Sequence, residues 1–563
     1  MKEFLMVPRL LIIGTFVYAS AALAQEKKEP EQTPTIKART EFVQVPIIVQ
    51  RSGKHVTGLT QSEFVVQQDG VDQPITAFEE IHAGSPVLPK PVSGFQNTAT
   101  MQQTPQQITI IVLDSVNTDT MDMAYFRKEL ASFLVDAEKK RIPFGLVELT
   151  RTGMKVLHDF TTDPRAIFNA VVENNPTRPA TIHERDSVTH GNPEEAAAMQ
   201  PTPEMFDARV EQMIKAQDGE DERYRFQERT SRIDTLLAIQ QLAQALKGIP
   251  GRKTVLWAGS GFEFLGTIAP GSPLNARTTN SRFHDPTPGN ESVNMALYTW
   301  QLLNDANVAV YPIDTRRAAN SAFQSMDPTV KYSPSDAAKQ SLRDTDRGIL
   351  DTFQLMAANT GGKPCIYRTD LRNCLMEATE DNHDYYLVGF YVDKNNKKTG
   401  WHKINVKFAQ KATVRYRQGF LISDYKPEAA RGADIQLALN SPFNYTSLPF
   451  QGQFTGFKDN GAKKTTGYEL LIPPDSITID PSENQINFDV LAVVRGNGGV
   501  EAGRVAQRIN RKLNADNIAD IKAHGIDYMN KVDLPPGDYR VWFVLRDNPS
   551  GRTGSVVVPL KVQ

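Results

Sequence analysis

Apolar and polar positions change their period several times along the 563-residue chain. Over 42–82, short β-branched runs alternate with the polar turns "RSGK" and "QDGVDQ", which predicts a small antiparallel β unit. Residues 83–107 are rich in Pro, Ser and Gln and read as a linker. From Ile108 the pattern becomes apolar strands interleaved with helical periodicity. "ITIIVLD", "PFGLVELT", "MKVLHDFT", "KTVLWAG", "VAVYPID" and "DYYLVGFYVD" are the strands. Helices fit 121–139, the segment starting at Pro164 with Asp163 as its cap, "SRIDTLLAIQQLAQALKG", "ESVNMALYTWQLLNDAN" and "RGILDTFQLMAANTGG". Six strands with interleaved helices predict an α/β fold over 108–395, a doubly wound, mostly parallel six-stranded sheet of Rossmann type. A polar insertion at 174–228 interrupts it and is too long for a routine connection. Residues 396–424 read as a β hairpin that packs with the first β unit, and the evenly spaced strands of 433–563 predict a C-terminal β-sandwich.

The N-terminus changes the setting of this pattern. Lys2 and Arg9 form a weak positive region ahead of the apolar run "LLIIGTFVYASAALA", and Ala22-Leu23-Ala24 fits a cleavage site, so residues 1–24 read as a signal peptide and 25–41 as a charged, flexible lead-in. The run is shorter than the roughly 20 residues a spanning helix needs. Expected, therefore, is a secreted or periplasmic protein with no stable membrane span after cleavage. Lys+Arg 63 against Asp+Glu 65 leaves a net charge of −2, which offers no global attraction for nucleic acid. In an oxidising compartment the two cysteines, Cys365 and Cys374, favour a local disulfide over two buried thiols or a reactive pair, since they lack CxxC spacing.

The sheet's strand ends collect the candidate chemistry. Asp114 closes the first strand and Asp314 the "VAVYPID" strand, on the edge where open α/β sheets bind ligands. A β hairpin after the first helix, together with "VTGLTQSEFVVQQDGVDQPITAFEE", "IVLDSVNT", "LHDFTTDP", "LKGIPGRKTVLWAGSGF" and "YYLVGFY", resembles the von Willebrand factor A domain and, more narrowly, the bacterial secreted VWFA-related domain family. The resemblance spans roughly 42–421. It implies a metal-ion-dependent adhesion site in which Asp-x-Ser-x-Ser joins a later Thr and Asp to hold Mg²⁺ or another divalent cation for an acidic partner. Asp114 matches the leading Asp, Val116 replaces the first Ser, Thr118 stands at the second, and Thr230 matches the later Thr. The late Asp is absent, because the chain reads Ala258-Gly259-Ser260-Gly261 there. The implied site is thus degenerate. A rearranged one would draw on Asp114, Asn117, Thr118, Ser260 and Asp314; the alternative is that Asp114 accepts hydrogen bonds from loop amides and Thr118 and orders the turn.

Other motifs fall short. His183, Glu184 and His190 lack the HExxH spacing, Gly259-Ser260-Gly261 lacks the frame of a nucleophile elbow, and "GIPGRKT" enters a strand rather than a helix. Trp257, Trp300, Tyr385 and Tyr386 fit core positions. The reading that results is an exported, non-enzymatic protein that binds a protein or cell-surface ligand at the Asp114 rim. Two alternatives stay open: a structural envelope component with an inert rim, and a metal-dependent hydrolase built from the insertion's carboxylates and histidines.

Overall fold

The computed structural model describes residues 40–82, 94–97, 108–118, 120–138, 142–173, 230–261, 290–316, 336–381, 383–393, 399–422 and 427–563. The expected signal peptide, most of the lead-in and the 174–228 insertion with His183 and His190 lie outside these residues. Among the described residues no helix is long and apolar enough to cross a membrane.

The period-two pattern of Thr40–Arg51 turns Val43, Val45, Ile47 and Val49 to one side, and all four are buried. This strand pairs antiparallel with Asp384–Asp393, from Thr40 opposite Asp393 to Ile47 opposite Tyr386, and further along with Thr413–Arg415. Ala77–His82 lies on the far side of the Asp384 strand. A second sheet runs Gly419–Ile422, Gly400–Phe408, Phe64–Gln68, Val71–Gln73. The two sheets enclose one core that includes Val45, Val66, Val388, Phe390, Ile404 and Phe420. The tight turn of the second sheet puts Asp69 at φ 51° and Gly70 at φ 85°, two consecutive left-handed residues of the kind a two-residue hairpin needs.

In the central module all seven residues of Ile108–Asp114 are buried, because this strand has neighbours on both edges and helices on both faces. The order is Val308–Asp314, Lys253–Gly259, Ile108–Asp114, Phe144–Thr150, Gly153–Thr161; the first four are parallel and the last antiparallel. Helices Thr120–Ala137, Pro164–Glu173 and Leu371–Glu380 pack on one face. The helix through 230–246, Asn290–Asp305 and Asp336–Thr360 cover the other.

The expected doubly wound, mostly parallel six-stranded sheet is therefore corrected. Among the described residues the sheet is mixed and has five strands, and these residues are mainly β, with 46% strand against 28% helix and antiparallel sheets predominating. "DYYLVGFYVD", expected as the sixth strand, pairs instead with the N-terminal strand. Pro312 supplies a physical reason. The Pro312 carbonyl accepts from the Cys365 N–H, and the Asp314 N–H donates to the Cys365 carbonyl, so these groups face the sheet's free edge. Proline offers no N–H at that edge, and a single bridging residue, Cys365, caps it in place of a strand.

A buried polar seam joins the central module to the first sandwich. The Asp381 carboxylate accepts from Gln50 Nε2 at 3.0 Å and pairs with Arg415 at 2.6 Å, while Arg252 donates to the carbonyls of Asp381 and Gly361.

Strands of 451–562 form a second sandwich. Its sheets are Ile526–Leu534, Lys463–Ile472, Gln451–Asn460 on one side and Ile479–Asp480, Gln485–Gly496, Gly537–Asp547, Thr553–Val562 on the other, with Glu501–Lys512 also pairing Gln485–Gly496. Part of the presumed linker belongs to it. Phe95–Gln96 pairs with Gln451–Gly452, and Phe95 stacks on Phe543 at 4.9 Å. Asn97 is 3% exposed; its Nδ2 donates to the carbonyls of Tyr445 and Leu448 at 2.7 and 2.8 Å, and its Oδ1 accepts from the Phe450 N–H at 2.9 Å.

Asn97→Ala leaves those backbone groups buried without partners, a loss of about 2–3 kcal/mol. The expected result is faster hydrogen exchange across Gln485–Gly496 and Gly537–Asp547; unchanged protection would show that the segment does not brace the sandwich. A second prediction concerns the first sandwich, where His82 Nδ1 lies 2.8 Å from Asp384 and its Nε2 3.7 Å from Glu80. The Asp384 hydrogen bond, together with the charges of Asp384 and Glu80, raises the His82 pKa from 6.5. The raised value makes this contribution complete below about pH 6.5 and lost as pH climbs through the folded pKa. Wild type should out-melt His82→Gln most at pH 5.5, with the gap closing by pH 9; a gap independent of pH would contradict the coupling.

Candidate functional site

The carboxyl ends of three parallel strands meet at one rim: Asp114, then Gly259 and Ser260, then Asp314 and Thr315. Asp114 is fully buried. Its Oδ1 accepts from the Asn117 backbone N–H at 3.0 Å, Asn117 Nδ2 donates to both carboxylate oxygens at 3.0 and 2.9 Å, and Trp257 Nε1 donates to Oδ2 at 3.2 Å. Burial pushes the Asp114 carboxyl up, and the Asn117 and Trp257 donors offset part of that rise. Gly259 is needed beside it, since a Cβ there would fall 3.0 Å from Asp114 Cβ and 3.2 Å from Thr118 Oγ1.

Around this buried acid the other candidates take separate places. Thr118 Oγ1 accepts from the Ser260 N–H at 3.0 Å rather than donating to Asp114. Ser260 Oγ donates to Asp122 at 3.2 Å and lies 3.3 Å from Thr315 Oγ1. Asp314 is closed by Arg316, which reaches it through its backbone N–H and through Nε and Nη2 at 2.9 and 2.8 Å. Thr230 stands exposed where the described part of its helix begins. The hydroxyl that enters the Asp114 group is Thr235, which accepts from Asn117 Nδ2 at 3.1 Å. Val116 is 3% exposed and packs in the core.

Cys365 and Cys374 form a disulfide with a Cα separation of 6.0 Å. It ties the residue that caps the Asp314 strand to helix Leu371–Glu380. Two residues beyond Cys365, Tyr367 sits at φ 56° with 79% of its surface exposed, and Arg368 grips Asp370 and Glu377 next to it. A bulky residue in the left-handed region is costly and is held only where its neighbours fix it.

Sequence reasoning missed Trp257, Thr235, Asp122 and Glu148. Trp257 had a usable signal, since a buried indole N–H demands an acceptor and a strand-end carboxylate is an available one. Glu148, 2% exposed on the neighbouring strand, accepts from Ser115 Oγ at 2.7 Å and lies 3.5 Å from Arg127.

The donor set does not fit the divalent cation that the resemblance implies. Mg²⁺ requires near-octahedral oxygen ligands. Both Asp114 oxygens here face N–H groups, whose positive ends repel a cation; the first hydroxyl position is Val116, turned into the core, and the stretch where the late acid would stand, Ala258-Gly259-Ser260-Gly261, carries no carboxylate. Among the described residues no three or more His, Cys, Asp or Glu gather so as to hold a metal. What the rim offers instead is hydroxyl, amide, guanidinium and phenol groups on a rigid sheet edge. Calorimetric titration of Mg²⁺, Mn²⁺ or Ca²⁺ should give the same heat for wild type and for the near-isosteric Asp114→Asn. A saturable isotherm lost in the variant would overturn this reading of the donors.

No protein-family model matches the sequence, and no curated protein matches it. Among solved structures, a chain described as a β-galactosidase from Bacteroides fragilis is 11% identical over 32% of this chain and 24% of that one, with a TM-score of 0.15. A β-glucuronidase of Bacteroides uniformis is 9% identical over 32% and 19%, again at 0.15. A β-glucuronidase from glycoside hydrolase family 2 is 10% identical over 31% and 19%, at 0.14. The chain thus spans about a quarter or less of the length of each, and superpositions this poor bear on neither fold nor chemistry.

Proposed function

We propose that this chain is an exported, non-enzymatic binding protein of the VWFA-related kind, which engages a protein or cell-surface ligand at the carboxyl-end rim of its central sheet without a bound cation. The observation that carries the proposal is the division of labour at that rim. Asp114 is sealed by Asn117 and Trp257, while Ser260, Arg316 and Tyr367 are presented outward or half-outward from a sheet that helices hold on both faces. Aromatic and arginine side chains on a fixed scaffold are the groups that most often anchor protein interfaces. The sequence resemblance to adhesion domains points the same way and by itself leaves the ligand open.

The test is surface plasmon resonance of the full-length protein against fractionated envelope and extracellular proteins, in EDTA. The expected outcome is a ligand whose affinity drops at least about tenfold in Tyr367→Ala and Arg316→Glu. A ligand bound equally by both variants would move recognition off this rim and favour an assembly role, and binding abolished by EDTA alone would remove the cation-free part.

A further inference from the structure

The outward face of the larger C-terminal sheet pairs its charges in one region and leaves them opposed in another. Where helix Pro427–Asn440 lies over it, Asp489 holds Arg431 and Arg508, and Arg546 holds Asp434. Along the same two strands the register continues through Leu491 opposite Val544 and Val493 opposite Trp542 to Arg495 opposite Arg540. This last pair places two guanidiniums directly across from each other, an arrangement that costs a sheet stability. Neither closes an ion pair with a carboxylate among the described residues. Both fold onto one indole instead, with the Arg495 and Arg540 guanidinium carbons 4.7 and 5.4 Å from the Trp542 ring centroid.

Two acids lie near. Glu501 stands opposite Arg495 in register, but its carboxylate is taken by Arg504 through two bonds of 2.8 and 2.7 Å. Asp538 is two residues before Arg540 and opposite Lys561. The local balance of Arg495, Arg504, Arg540 and Lys561 against Glu501 and Asp538 stays positive. Stacking on an indole fixes a guanidinium's plane and leaves its N–H edge free, and two such groups on directly paired residues suit an oxyanion that can accept from both.

We propose that Arg495 and Arg540, oriented by Trp542, form a clamp for a tetrahedral oxyanion of the phosphate or sulfate class, whether free, on a lipid headgroup or as an ester on a glycan. An anion between the two guanidiniums would turn their mutual repulsion into shared attraction. This site lies on a different module from the central rim and is independent of the function proposed for it.

The experiment titrates full-length protein with inorganic phosphate, inorganic sulfate, heparin, and phosphatidylglycerol or phosphatidylcholine vesicles, reading the Trp542 indole N–H resonance, assigned with Trp542→Phe. Expected is a saturable shift with inorganic phosphate or sulfate, weakened about tenfold by Arg495→Gln or Arg540→Gln and abolished in the double variant. Arg495→Lys, which keeps the charge but loses the planar fork, should weaken it as well. Tighter binding of heparin than of the free ions identifies a glycan source; tighter binding of phosphatidylglycerol than of phosphatidylcholine vesicles identifies a lipid one. No saturable shift, or a shift undiminished in the folded double variant, would overturn the clamp.

Discussion

Backbone pairing between Thr40–Ile47 and Tyr386–Asp393 joins segments more than 300 residues apart, and the rest of the molecule is arranged around that closure. Closing so long a loop costs entropy that grows only slowly with length, and the apolar core enclosed by the two flanking sheets offsets it. The central module is thereby held by the sandwich at both ends of its sequence. Asp381, at the exit of helix Leu371–Glu380, fastens the junction through Gln50, Arg252 and Arg415, so the strand that leaves the central module is anchored before it enters the sandwich. A charge buried this way is tolerated because its partners are already in place.

The same logic of distant attachment recurs at Asn97. Composition marks 83–107 as a connection, yet Phe95 and Asn97 behave as core residues of a sandwich that begins some 350 positions later. Side-chain amides suit this work, because one Asn can satisfy two carbonyls and an N–H that no regular ladder reaches. The first and last modules are consequently tied to the central one by chain crossings as well as by surface contact.

At the rim, burial decides the chemistry of Asp114. A carboxylate at the end of an open strand could meet solvent or a ligand, but Trp257 from one side and Asn117 from the other enclose it. The outer ring of hydroxyls is linked through Thr118, Ser260, Asp122 and Thr315. Such a network stiffens the loop ends and passes the polar surface outward to Arg316 and Tyr367.

The sequence by itself determined which faces of its regular strands and helices are buried and much of the local geometry. Six apolar or β-branched positions followed by an acid can only be a covered strand with a polar end, the Asp163-Pro164 pair starts a helix, where Asp163 accepts from the Arg165 N–H, and Asp69-Gly70 makes a tight turn. Asn117 and Thr118 were legible as candidates for the site, because they stand three and four residues after Asp114. Tertiary structure alone decided which strand lies beside which. A covered strand such as "DYYLVGFYVD" reads the same in a parallel or an antiparallel sheet, so its partner was open, although Pro312 in "VAVYPID" already marked a sheet edge. It also decided that Trp257 and Thr235, each over 100 residues from Asp114, complete the site and that Asp314 turns to Arg316. Periodicity reports the face a residue buries, but the partner on that face is chosen by the joint free energy of packing and hydrogen bonding, which no single segment contains.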